Sequence, residues 1–213
     1  MSPDGLLAET LVGATSPVAI VEDEGDLDRL HHPGCGAVIW QRDLADGFQA
    51  WMDRVPPDRL PRGRIVLRPD AVRAAVRHLC DAAGTPPGAE RDRLCDDIAA
   101  LAIIFGDLTS ARYLRLRLSP VDTDACRRFH VDAIRARLVC TYRGPGTQYG
   151  LAMDDRPPVR ISQVPTGAPI ILRGTAWPGK ATGVMHRSPP IEGTDITRLV
   201  LVLDMVDDPG AAK

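Results

Sequence analysis

The strongest constraint on this chain's fold is a change of hydrophobic period near residue 111. Before it, apolar residues recur at helical spacing. Ala71, Val72, Ala75, Val76 and Leu79 share one face of a helix expected over Asp70–Ala83, with Gly84 as the stop. Leu94, Ile98, Leu101, Ala102 and Phe105 do the same over Glu90–Phe105, after a GTPPG break. A further helix is expected over Asp43–Val55, ended by Pro56–Pro57, behind short strands at Val18–Val21 and Ala37–Trp40. From Ala111 the period falls to two. Tyr113–Leu118 (YLRLRL) alternates strictly, Phe129–Tyr142 reads as its extended continuation, and Val159–Val164, Pro169–Leu172 and Arg198–Met205 follow between Gly- and Pro-rich turns. Helices first and closely spaced strands afterwards indicate an α+β protein whose strands form a sandwich or barrel. The expected division is a helical region over 1–110, opened by a loose leader of fifteen residues, and a β core over 111–207. In Leu199–Leu203 both faces are apolar, so one face is expected to meet the β interior and the other the helices.

Composition narrows the function. A formal net charge of −2 argues against a general nucleic-acid binder, which needs a concentrated positive field. The longest apolar runs, Leu101–Phe105 and Leu199–Leu203, are too short to span a bilayer, and MSPDGLLAET does not read as a secretory signal. Cys35, Cys80, Cys95, Cys126 and Cys140 form an odd set without a CxxC pair, which speaks against a disulfide framework or zinc ribbon and for a reducing cytoplasm.

The residues that stand out chemically are His130 and Asp132. Two apart on a strand, they project to the same side and supply two adjacent corners of a coordination sphere. Continued alternation puts Ile134, Ala136, Leu138, Cys140 and Tyr142 on that side and turns Arg135 and Arg137 outward. His186, 56 positions on, is the candidate third ligand. Two histidines and one carboxylate with open positions opposite suit non-haem iron(II). The competing structural account makes His130 and Asp132 a buried pair with no metal. Asp122 and Asp124 suit turns or caps, Asp204 reads as a turn residue at a strand end, and His31 and His32 fit a solvated HHPG loop. Of the pocket candidates, Cys140 follows from the alternation, Trp177 in GTAWPG would roof the site, and Arg128 would stand at its mouth.

HxD, a distal histidine, and Arg198 twelve positions later at the head of RLVLVLD resemble the 2-oxoglutarate-dependent oxygenases over roughly residues 111–206. That resemblance implies a double-stranded β-helix of jelly-roll or cupin-like form with the helical region outside. It also implies Fe(II) on His130, Asp132 and His186, and 2-oxoglutarate held by Arg198 through its far carboxylate and by Tyr142. The expected reaction is hydroxylation, or a related C–H oxidation, of a small molecule or peptide. No further catalytic residue is assigned. A cupin-type iron dioxygenase or isomerase without 2-oxoglutarate, and a non-enzymatic accessory protein holding zinc, stay open beside it. More narrowly, FHVDAIRARLVCTYRGPGT, GTAWPG and HRSPP are similar to an uncharacterised bacterial family, a domain of unknown function, from which no reaction is carried over.

Overall fold

The structure is a computed structural model that describes residues 16–153 and 156–207; the leader expected over 1–15 lies outside the described residues. The described residues form ten strands and three α-helices, in the order β1 (Val18–Val21), β2 (Ala37–Trp40), α1 (Phe48–Arg54), β3 (Gly63–Leu67), α2 (Val72–Ala83), α3 (Ala89–Thr109), β4 (Tyr113–Val121), β5 (Ala136–Arg143), β6 (Gln148–Leu151), β7 (Ser162–Gln163), β8 (Pro169–Arg173), β9 (Val184–Arg187) and β10 (Arg198–Val206). Helix α1 is shorter than expected. Gly47, at φ 79°, takes a left-handed turn that few other residues tolerate, so the helix starts only at Phe48.

Seven strands make one sheet in the order β1-β2-β8-β5-β10-β4-β3, and three make a second in the order β7-β6-β9. Every pairing is antiparallel except β1 with β2. The large sheet is covered on both faces, and the alternation of β10 shows how. Leu199, Leu201 and Leu203 join Leu114, Leu116 and Leu118 of β4 and Ile98, Leu101 and Phe105 of α3 in the helix-side core. Val200 and Val202 face the other way, into an apolar layer with Val139, Ile170, Leu172 and Val184 of β9. Each such buried side chain contributes about 1.5–3 kcal/mol, which is why β10, apolar on both faces, lies inside the sheet between β5 and β4.

The expected continuous strand over 129–142 is broken. Only Ala136–Arg143 is a strand, and residues 133–135 bend away from it. Their backbone is claimed by the loop after β8: Gly174 N–H donates to Arg135 O, Thr175 N–H to Asp132 O, and Ala176 N–H to Ile134 O. The bend changes the parity of everything after it. Ala136, Leu138, Cys140 and Tyr142 therefore join the helix-side core, while Val139 joins the layer between the sheets and Arg137 faces inward instead of outward. Asp204 is likewise no turn residue. It sits in β10, buried, directly opposite Arg137 of β5. Among the described residues, no helix is long and apolar enough to cross a membrane.

Candidate metal centre

His130 and His186 are brought together by the backbone. Each donates its N–H to the other's carbonyl, at 3.1 and 3.0 Å, in an isolated antiparallel bridge. Residues directly opposite in such a pair hold their side chains on one side, and the two rings lie 4.4 Å apart between centroids. Asp132 reaches the same point from the segment just before the bend. Its Oδ2 is 3.3 Å from His186 Nε2 and its Oδ1 is 3.7 Å from His130 Nε2. One ligand atom from each of the three residues falls within 4.8 Å of the others.

The electrostatics suit a cation. His130 Nδ1 donates to Arg128 O at 2.9 Å, because a carbonyl can only accept, and this leaves the Nε2 lone pair facing Asp132 and His186. Burial, with His130 and Arg137 adding to it, pushes the His186 pKa down to about 3, so its imidazole is neutral at physiological pH. Burial also raises the Asp132 carboxyl above its usual range, against the pull of Arg137 and His130. Asp132 Oδ2 is buried and has no hydrogen-bond partner among the described residues. An orphaned carboxylate oxygen between two imidazoles is costly unless a cation meets it. The donor set and its spacing thus fit a divalent metal with imidazole and carboxylate preference.

Beside the three residues lies a cavity of roughly 330 Å³, lined by His130, His186, Arg137, Val139, Thr147, Val200 and Val202, with Arg198 also on its wall. Arg198 is only 2% exposed. Its Nε donates to Pro145 O at 2.7 Å and Nη2 to Thr141 Oγ1 at 3.1 Å, and no carboxylate among the described residues pairs with it. Burial lowers its pKa to about 10. A positive charge is therefore held in an apolar wall, facing a cavity, without its counter-charge.

Other residues expected at the site are elsewhere. Tyr142 lies on the helix side of β5, where its hydroxyl donates to Asp97 Oδ2 at 2.5 Å and its ring meets Phe48. It therefore does not face the cavity, for the reason of parity given above. Cys140 shares that side, and burial pushes its thiol up to about 12. Trp177 packs under the Arg173 guanidinium at 4.8 Å and lines a separate cavity of roughly 360 Å³. Arg128 is exposed, and only its backbone carbonyl reaches the site. The sequence reasoning missed Arg137, Asp204 and Thr141. The inward turn of Arg137 had no local signal, since it depends on the bend at 133–135. Asp124 does act as a cap: its Oδ1 accepts from Ile191 and Glu192 N–H, tying the loop before His130 to the segment after β9.

Among solved structures, the chain is similar to dioxygenase for auxin oxidation 1 from Arabidopsis thaliana in binary complex with 2-oxoglutarate. The identity is 12%, over 90% of this chain and 92% of that one, with a TM-score of 0.51. The rice dioxygenase for auxin oxidation matches at 14% identity over 92% and 84%, with a TM-score of 0.49. Hydroxypropylphosphonic acid epoxidase from S. wedmorenis matches at 14% over 43% of each chain, with a TM-score of 0.29. At such identities the Arabidopsis likeness bears on the fold alone. No curated protein sequence matches the chain. Residues 21–204 match the family model described as "Protein of unknown function (DUF1826)", and the chain belongs to that family.

Proposed function

We propose that the protein is an iron(II)- and 2-oxoglutarate-dependent oxygenase acting on a small molecule or peptide. The observation that carries this is the pairing of a two-histidine, one-carboxylate cluster with a buried, unpaired arginine on one cavity wall. In this reading residues 111–207 supply the core of a double-stranded β-helix whose two walls are the two sheets, β1, β2 and β3 extend the larger wall, and α1, α2 and α3 pack outside. The five free cysteines, four of them buried, support a reducing cytoplasmic setting.

Charge balance supports the choice of cosubstrate. At the site, half-buried Asp132 and Arg137 and buried Asp204 and Arg198 sum to zero, while Arg117 and Arg187 on the same cavity favour an anionic ligand. A divalent metal adds two positive charges and a dianionic 2-oxo acid removes them. Iron(II) held by His130, Asp132 and His186 would supply oxygen activation, with 2-oxoglutarate giving up electrons and leaving as succinate and carbon dioxide. Arg198, with three of its five N–H donors uncommitted, would hold the far carboxylate by parallel charged hydrogen bonds. Val139, Val200 and Val202 give the cavity an apolar side, and a low local dielectric there would strengthen those bonds. The test is anaerobic loading with iron(II), titration with 2-oxoglutarate, then exposure to oxygen and measurement of succinate. Saturable binding and succinate release are expected. No binding at millimolar 2-oxoglutarate would refute the reading and leave the cupin-type or accessory role.

A further inference from the structure

Resting on that reading of the metal site, we propose that Arg137 and Asp204 are a positioning pair that restricts Asp132 to one metal-facing oxygen. Asp132 has two oxygens with different surroundings. Oδ1 accepts a charged hydrogen bond from Arg137 Nη1, whereas Oδ2 is buried, unbonded and 3.3 Å from His186 Nε2. The guanidinium is itself fixed. Its Nε and Nη2 donate to the two oxygens of Asp204 at 2.6 and 3.0 Å, in a two-pronged pair across the β5–β10 register. The side chains of Arg137, Asp132 and Asp204 are 18%, 12% and 9% exposed, so solvent does little to loosen them.

The arrangement has a chemical consequence. A carboxylate binds a metal through one oxygen or through both. Two imidazoles and a two-oxygen carboxylate occupy four places of an octahedron and leave two. A chelating 2-oxo acid and an oxygen molecule together need three. Holding Oδ1 on Arg137 keeps the third place open. Asp204 offsets the charge of Arg137, so the guanidinium orients Asp132 without adding net positive charge beside the metal. The backbone bond from Thr175 N–H to Asp132 O fixes the same residue from its other end.

The experiment uses cobalt(II), an oxygen-stable probe whose visible absorption reports coordination number. The charge-balanced double variant Arg137→Leu/Asp204→Leu is compared with wild type by cobalt titration, visible spectrum and melting temperature. Cobalt affinity is expected to fall about tenfold or more, as for other residues that orient a metal ligand, with a changed band shape. Arg137→Lys, which keeps the charge and loses the fork, is expected between the two. Wild-type affinity and spectrum in the double variant would overturn the proposal, and a lower melting temperature alone would mark the pair as merely structural. Should the double variant fail to fold, Asp204→Asn carries the test: an unchanged affinity and spectrum there overturns it equally. Absence of cobalt binding by the wild-type protein refutes the metal site itself, a result distinct from failure of the pair.

Discussion

Replacing Arg198 by Met separates binding from stability, because the side chain is buried without a counter-charge among the described residues. The variant keeps the apolar stem and deletes the guanidinium. If Arg198 holds the far carboxylate of 2-oxoglutarate, the deletion leaves that carboxylate unpaired in an apolar wall, at about 3–5 kcal/mol. At about 1.4 kcal/mol per decade, affinity falls between a hundredfold and a few thousandfold. The stability of the ligand-free protein responds differently. The fall of the Arg198 pKa to about 10 corresponds to roughly 3 kcal/mol against the charged form. Its bonds to Pro145 O and Thr141 Oγ1 are worth about 1.5–3 kcal/mol each. The two bonds match or outweigh that cost, so net stability changes by about 3 kcal/mol or less and the melting temperature by less than about 12 °C. The assay is calorimetric titration of 2-oxoglutarate into anaerobic, iron-loaded protein, beside thermal melts of both proteins. Iron affinity stays near wild type, since Arg198 contacts none of the three ligands. Arg198→Lys recovers part of the loss. If wild type binds and Arg198→Met binds equally well, the assigned role of Arg198 is wrong.

Three further outcomes are expected. His130→Ala, Asp132→Ala and His186→Ala each abolish stoichiometric iron(II) binding while the far-ultraviolet circular dichroism is kept; full iron affinity in His186→Ala would exclude the cluster as the metal site. Gly174→Ala weakens iron binding without touching a ligand, because an added Cβ would stand 2.0 Å from Ile134 O and 2.6 Å from Asp132 O and must push that segment away; an unchanged metal titration would contradict this. At pH 8 a thiol reagent labels the exposed Cys126 and spares Cys140, whose thiol is buried and pushed up to about 12; rapid labelling of Cys140 in folded protein, read by peptide mass, would show that it faces the cavity after all.

Local periodicity made much of the scaffold legible. The spacing in Val72–Ala83 and Ala89–Thr109 reflects one apolar helical face, and Leu114, Leu116 and Leu118 alternate because β4 has one face on the helices. The two-sided character of Leu199–Leu203 foretold a strand between two apolar layers, since each face must leave water somewhere. The placing of His130 and Asp132 near one another was also legible, as was the candidacy of His186, because few residue types can hold a metal.

The sequence alone determined α2, α3, β4 and β10 and the short list of side chains able to ligate a metal, because these follow from residue type and local spacing. Tertiary structure decided which side of β5 faces the cavity. Hydrogen bonds from Gly174, Thr175 and Ala176 to the backbone of residues 132–135 bend the chain there, and the side-chain period of two converts that bend into an exchange of faces. Tyr142 and Cys140 thereby pass to the helix core, and Arg137 turns inward to meet Asp132 and Asp204, a partner 67 residues away in β10. No local pattern records such a pairing, because it exists only once β5 and β10 lie side by side in register.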